Sequence, residues 1–318
     1  VTETVETLRP LLFSIAYRML GTVSDAEDVV QEAFARYQRT LLDGTEIGSP
    51  RAFLSAVTTR LAIDQLRSAR VRRESYVGQW LPEPLLTDGG RDDPALHAER
   101  ADSLSMAFLL VLERLSPVER AVFLLHDVFD YGYPEIASIV GKSEANCRQL
   151  AARARRHLAD SKPRFDAARR DREELAARFF AAVADGDVDQ LVEMLAKDVV
   201  VYGDGGGKVP QWSRPIVGAE RVAKLLANLG KGMRNLGIGM RPREVNGQPG
   251  VMVLDADGQL TNVFVLDIAD GVVQTVRSVI NPDKLRHLGP LADVRALRAQ
   301  RGPDAVPSTE PATEPATD

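Results

Sequence analysis

The sequence predicts a multidomain chain in which two all-α modules precede an α+β domain. Three observations carry this reading. Apolar residues recur at i, i+3 and i+4 up to about residue 170. The stretch GQWLPEPLLTDGGRDDP (78–94), rich in Pro, Gly and Asp, interrupts that helical pattern as a linker would. From residue 251, VMVLDADGQLTNVFVLDIADGVVQTVRSVI alternates apolar and polar positions across two Asp-Gly turns, the pattern of a three-stranded antiparallel meander.

Composition sets the limits. At 318 residues the chain can bury a core in each domain, and a net charge of −5 with 27% charged residues is ordinary for a soluble protein. Cys147 is the single cysteine, which excludes a disulfide framework and a cysteine-based zinc cluster and points to a reducing cytoplasm. No apolar run approaches the roughly 20 residues that span a bilayer, and no basic segment followed by an apolar core opens the sequence, so neither export nor insertion is expected. No cofactor and no metal is expected.

The first helix singled out, SDAEDVVQEAFARY (24–37), opens with Ser24 and Glu27, which read as a capping box. Ala26, Val29, Val30, Ala33, Phe34 and Tyr37 form its apolar face, leaving Asp25, Asp28, Gln31 and Glu32 exposed. That acidic face reads either as a solvated surface or as a dock for a basic partner. The next helix, SPRAFLSAVTTRLAIDQLRSARVRRE (49–74), has Ser49 as its cap and Pro50 at the first helical position. Arg67, Arg70, Arg72 and Arg73 concentrate positive charge at its end, which also suits the helix dipole.

The segment LSPVERAVFLLHDVFDYGYPEIASIVGKSEANCRQLAARARRHL (115–158) has helix-turn-helix spacing. Ser116 to Glu119 form a capping box, Pro134 to Val140 a short helix, Gly141-Lys142 the turn, and Ser143 caps a second helix. Glu144, Asn146, Arg148, Gln149, Arg153, Arg155 and Arg156 are exposed on that second helix, where amides and guanidinium groups can read bases and the later arginines suit phosphates. Cys147 among them reads as a packing residue.

These helical segments resemble the two domains of bacterial extracytoplasmic-function sigma factors: DAEDVVQEAF its region 2.2, the 50–74 helix its regions 2.3 and 2.4, and 115–158 its region 4. The resemblance covers roughly residues 7 to 160. It implies that Asp25, Asp28, Gln31, Glu32 and Phe34 dock on the β′ clamp helices of core RNA polymerase, whose β subunit is also a partner. It places the loop from Asp43 to Ser49 and the helix bearing Thr58, Arg60, Asp64, Arg67 and Arg70 at the −10 element, with Asp64 alternatively a buried structural acid. Glu144, Asn146, Arg148, Gln149 and Arg153 would face the −35 duplex.

The second half resembles a SnoaL-like domain, an NTF2-like α+β cone barrel. Three signatures resemble those of the sigma-factor subgroup with such an extension: Trp80, Leu81, Pro82, Glu83 and Pro84 in the linker; Asp204, Gly205, Gly206, Gly207 and Lys208 after the first barrel strand; and Asn281, Pro282, Asp283, Lys284 and Leu285 after the last. The implied organisation is 1–75 for region 2, 76–98 for the linker, 99–162 for region 4, 163–290 for the barrel and 291–318 for a disordered tail. Asp204 with Lys208, and Asp283 with Lys284, read as charges that fix a docking geometry.

The glycine run departs from a phosphate-binding P-loop, because three residues rather than four separate Gly203 from Gly207-Lys208 and Val209 follows. It reads instead as a flexible contact loop. The expected function is transcription initiation regulated in cis by the barrel, without catalysis. Two other readings compete: a one-component helix-turn-helix regulator with a ligand-sensing barrel, and a SnoaL-type cyclase or isomerase with a DNA-binding appendage. The region 2.2-like helix opposes the first. The second lacks a histidine in the barrel before His287, leaving Asp204, Asp255, Asp257 and Asp267, mostly at turns or strand ends. An unidentified small ligand in the cone is compatible with the sequence, but no residue names it.

Overall fold

The computed structural model describes residues 5–74, 76–88, 103–159, 169–212 and 214–299, with the side chains of 69–74, 159 and 298 outside the description. The chain divides into two compact units. The first comprises Val1–Tyr76, Trp80–Asp166 and Arg243–Gly250; the second comprises Val77–Gln79, Ala167–Pro242 and Val251–Asp318.

In the first unit, α1 (Arg9–Leu20), α2 (Val23–Leu42) and α3 (Pro50–Glu74) pack on one another. Next come α4 (Met106–Leu112), α5 (Pro117–Phe123), a π-helical segment Leu124–Val128, α6 (Tyr133–Val140) and α7 (Glu144–Ala159). The expected caps form where they are local. Ser116 and Glu119 make their capping box, and the Ala52 amide donates to the Ser49 hydroxyl. Gly141 ends α6 in the left-handed conformation, and the Asn146 amide donates to the Ser143 hydroxyl. The two helical modules share a hydrophobic core: Leu12, Tyr17, Leu54 and Leu66 belong to the same cluster as Phe108, Leu112, Phe123 and Leu158. A second cluster joins Ile15 to Val122, Ile136, Ile139 and Cys147.

One predicted cap is wrong. α2 starts at Val23, the Thr22 side chain caps nothing, and Ser24 lies inside the helix. The Thr22 hydroxyl instead donates to Asp25 at 2.7 Å, while the first free N–H groups of the helix are taken by a carboxylate from far along the chain.

In the second unit, α8 (Arg169–Asp185), α9 (Val188–Met194) and α10 (Ala219–Asn235) share a core with a mixed sheet. Its strands are β1 (Leu195–Asp204), β2 (Ile216–Val217), β3 (Gly239–Val245), β4 (Gln248–Leu254), β5 (Leu260–Ala269) and β6 (Val272–Val279), in the order β2-β1-β6-β5-β4-β3. β1 runs parallel to β6, and β5 antiparallel to β6. Phe179, Leu191, Val201, Leu226, Phe264 and Val276 fill the core. The β5–β6 turn has positive φ at both Asp270 and Gly271, as an Asp-Gly hairpin requires.

The expected tail begins later than residue 291. Leu291 bridges Leu260, the Leu260 amide donates to the Pro290 carbonyl, and α11 (Val294–Ala299) follows. These backbone bonds order a segment whose composition reads as loop; the repeat after 300 lies outside the described residues.

Candidate functional site: helical DNA- and polymerase-facing surfaces and their tethers

On α2, Asp28 and Gln31 are exposed, and Glu32 pairs with Arg36 at 2.7 Å and Arg39 at 3.1 Å. The Arg36 hydrogen bond holds the Glu32 carboxyl below its ordinary pKa, so the face stays anionic. Asp25 is less available, accepting from Gln65 at 2.7 Å as well as from Thr22. Phe34 is buried rather than presented, with the Arg9 guanidinium 4.8 Å over its ring.

The α2–α3 loop, residues 43–49, is mostly exposed, and Leu42 before it is 86% exposed. Of the predicted −10 residues on α3, Thr58 is fully buried, and its hydroxyl has no hydrogen-bond partner among the described residues. Arg60 donates to the Ile139 and Ser138 carbonyls, both at 2.8 Å. Asp64 is exposed and pairs with Arg67 at 3.1 Å, so it is not a buried structural acid. The Arg70 side chain lies outside the described residues. The family resemblance placed Thr58 and Arg60 at the −10 element; in the structure Thr58 is buried, and Arg60, though exposed, spends its donors on α6 carbonyls.

α7 presents Asn146, Arg148, Gln149 and Arg153 to solvent and turns Cys147 inward. Burial, with Glu144 nearby, pushes the Cys147 thiol above its ordinary pKa, which fits an inert packing residue. Glu144 pairs with Arg148 at 2.9 Å, and Arg155 with Asp127 at 2.7 Å. Partial burial alone would raise the Glu119 carboxyl, but bonds from the Ser116 hydroxyl and amide and the charges of Arg153 and His157 hold it below its ordinary value. Asn146 and Gln149 are the exposed side-chain amides of α7.

The linker signature closes on the corner between α1 and α2. Leu81 is 1% exposed, and the Glu83 amide donates to the Gly21 carbonyl at 2.9 Å. Gly21 has φ +71°, and a Cβ there would lie 2.8 Å from the Trp80 indole, so backbone conformation and contact both demand glycine. The Glu83 carboxylate accepts from the Val23 amide at 2.7 Å and from the Ser24 amide and hydroxyl at 3.3 Å. A linker residue therefore supplies the anion at the N-terminus of α2 that the sequence assigned to a local cap.

The sequence reading missed Asn246, which lies in the β3–β4 turn within Arg243–Gly250, the strand-derived part of the first unit. Asn246 is fully buried at φ +53°. Its amide nitrogen donates to the Tyr17 hydroxyl at 2.7 Å and the Leu104 carbonyl at 3.0 Å, and its side-chain oxygen accepts from the Leu85 amide at 3.0 Å. Tyr17 in turn donates to the Glu83 carbonyl at 2.6 Å, and burial pushes its phenol well above the ordinary value. Leu86 also bridges Val245. Asn-Gly at 246–247 is the local signal that could have found this turn; nothing local reveals its partners.

In the second unit the two later signatures bind each other. Lys284 pairs with Asp204 at 2.6 Å, both buried, and Lys208 pairs with Asp283. The partners are thus exchanged relative to the sequence reading, and the charges close the domain on itself. The Asp204 carbonyl accepts from the Ile280 and Asn281 amides at 2.9 and 3.0 Å. The glycine run is not a loose loop either. Gly206 has φ +59°, and a Cβ on it would lie 2.2 Å from the Asn281 amide nitrogen. Of the other acids considered for catalysis, Asp267 pairs with buried Arg277, and Asp255 caps its turn by accepting from the Asp257 and Gln259 amides. A cavity of about 190 Å³ lies against the signature loops, lined by Lys208, Leu260, Ile280, Leu285, Leu291 and Arg295 among others.

Two helical modules, one a helix-turn-helix, joined to a strand-rich domain define a DNA-binding factor with an extension. Residues 4–72 match the family model for sigma-70 region 2, and residues 105–158 match sigma-70 region 4. The chain belongs to the extracytoplasmic-function RNA polymerase sigma factors, non-enzymatic factors of promoter-directed transcription initiation. It is 38% identical over 309 residues to the ECF RNA polymerase sigma factor SigJ of Mycobacterium tuberculosis, covering 93% of this chain and 96% of that one. It is 32% identical over 283 residues to the probable ECF sigma factor SigI of the same species, covering 87% of this chain and 92% of that one. The crystal structure of M. tuberculosis SigJ matches at 36% identity with a TM-score of 0.71, over 92% of this chain and 100% of that one. The second unit is accordingly a SnoaL-like extension of NTF2-like fold.

Proposed function

We propose that α2 holds the β′ clamp helices of core polymerase through Asp28, Gln31 and Glu32, that α3 and the loop before it engage the −10 element, and that α7 engages the −35 duplex. We further propose that the C-terminal half regulates initiation in cis. The supporting observation is the Asn246 node. A turn supplied by the second half of the sequence fills three hydrogen-bond positions around Tyr17, Leu85 and Leu104. Through Tyr17 it meets Glu83, whose carboxylate caps the helix proposed to hold polymerase. Loss of Asn246 would loosen the linker and the start of α2 together. The proposed site of action is the cytoplasm, where core polymerase resides; no helix among the described residues is long and apolar enough to cross a membrane.

Run-off transcription with purified core polymerase tests the regulation. Asn246→Ala in the full chain should change transcript yield at equal polymerase occupancy. Unchanged yield from a folded variant would remove the cis-regulatory reading and leave the initiation function standing.

A further inference from the structure

We propose that the cavity between the two barrel signatures and the C-terminal segment is a binding site for a small monocarboxylate with an apolar body, a single ring or a short alkyl chain. Leu260, Ile280 and Leu285, which line it, are not members of the core that α8, α9 and α10 share with the sheet, so the site stands apart from the interior of the domain.

Three segments build the cavity. The chain leaves β6 through Ile280 into the second signature, and the loop after β1 brings Lys208 to Asp283. The segment after Gly289 then crosses the start of β5. The Leu260 amide donates to the Pro290 carbonyl at 2.8 Å, and the Ala292 amide donates to the Leu260 carbonyl at 3.0 Å. These bonds fix how closely the segment approaches, and its side chains do not fill the space against the barrel, because Ala292 is short and Asp293 is exposed. The volume left is about 190 Å³. That exceeds the roughly 150 Å³ of an apolar cavity that holds benzene and falls below the roughly 300 Å³ of the smallest drug-sized sites. The size selects a ligand of one ring or a short chain.

The lining divides by chemistry. Leu260, Ile280 and Leu285 are buried and Leu291 and Val294 half-buried, which gives an aliphatic floor whose residual hydration an apolar ligand body would release. Thr261 also lines the cavity, but its hydroxyl is spent on the Val253 carbonyl at 3.0 Å. Orientation therefore falls to the two lining cations, Lys208 and Arg295. Arg295 donates through Nε and one terminal nitrogen to the Lys208 carbonyl, at 3.1 and 2.7 Å, which holds its guanidinium beside the first signature. Its other terminal nitrogen has no bond among the described residues, and the Lys208 ammonium gives one of its three donors to Asp283. These spare donors suit a carboxylate. Asp283 also pairs with Arg286 at 2.9 Å, and Asp293 is the one acid in the lining. Three cations thus stand against two acids, a surplus of one charge that favours a monoanion over a dianion such as phosphate.

The test titrates hexanoate and 1-hexanol into the full chain and follows binding by ligand-observed NMR. Hexanoate should bind with a dissociation constant on the order of 1 mM, as expected for so few heavy atoms, and 1-hexanol about five-fold more weakly. Arg295→Gln should weaken hexanoate about five-fold and leave 1-hexanol unchanged, a difference that a general folding defect would not produce. Ala292→Phe, which fills the cavity from a half-buried position, should remove both ligands while the thermal unfolding midpoint is retained; if that variant fails to fold, Arg295→Gln still decides. No hexanoate binding up to about 10 mM would overturn the site. Binding that survives a folded Ala292→Phe would place the ligand elsewhere and overturn it equally. Affinity of 1-hexanol equal to that of hexanoate, or displacement of hexanoate by inorganic phosphate at the same concentration, would overturn the ligand class.

Discussion

The linker signature and the two barrel signatures look alike in sequence, short runs of Pro, Gly and charge, yet they are used in opposite ways. Trp80 to Pro84 settle on the α1–α2 corner, and the Glu83 carboxylate completes a helix about sixty residues upstream. Asp204 to Lys208 and Asn281 to Leu285 turn toward each other, with Lys284 paired to Asp204 in the interior and Lys208 paired to Asp283 at the surface. The first is a tether between segments remote in sequence. The second joins the ends of β1 and β6, neighbouring strands, and so supports its own domain. A cluster of charged and conformationally special residues therefore marks a close backbone approach, and says nothing of whether the approaching backbone is its neighbour's or a distant segment's.

Breaking the barrel clasp gives the largest expected effect. Lys284→Met leaves the Asp204 carboxylate buried without its cation, at a cost of about 3–5 kcal/mol. Denaturant unfolding should show that loss in the second unit's transition; a loss below about 1 kcal/mol would mean that the pair is not the clasp. Next, Asn246→Ala strands the Tyr17 hydroxyl, the Leu85 amide and the Leu104 carbonyl, and should cost about 2–4 kcal/mol. Asn246→Ala combined with Tyr17→Phe should be non-additive if the two act as one node. Gly21→Ala imposes both positive φ and the indole contact and should cost about 1–3 kcal/mol, detected as a lower Tm together with a shifted Trp80 emission. Asp64→Ala, whose exposed pair with Arg67 is solvent-screened, should change stability by less than about 0.5 kcal/mol.

Acid titration sharpens the contrast from another side. The Glu119 carboxyl is held below its ordinary value, so its contribution to region 4 is present above the unfolded pKa and is lost as pH falls through the lower folded one. Glu119→Gln should flatten the acid limb of the region 4 stability profile, measured by thermal unfolding between about pH 3 and pH 6. An unaltered limb would assign acid loss to other carboxylates.

Legibility followed the range of the interaction. The helix-turn-helix, its capping box at Ser116 and Glu119 and the left-handed Gly141 were all readable, because each depends on residues within one turn of one another. The Ser24–Glu27 cap failed for the same reason: the local pattern was sound, but Glu83 competes for those amides from the linker. Thr58 and Arg60 were placed at the −10 element by family resemblance, yet Thr58 is buried and α6 takes the Arg60 donors. For the acids of the barrel the sequence showed turn and strand-end positions but not partners: Asp204 and Asp267 pair with cations, and Asp255 accepts from amides of its own turn.

By itself, the sequence determined which segments are helices and strands, where their local caps and turns fall, and the sigma-factor family to which the order of modules belongs. Periodicity, turn chemistry and motif spacing act over a few residues and survive in one dimension. Only the tertiary structure decided who partners whom: Glu83 with α2, Asn246 with Tyr17, Lys284 with Asp204, and Arg60 with α6. Each of these pairs satisfies a buried or terminal polar group with a donor or acceptor whose distance along the chain carries no signal, because the pairing is chosen by proximity after the cores have closed.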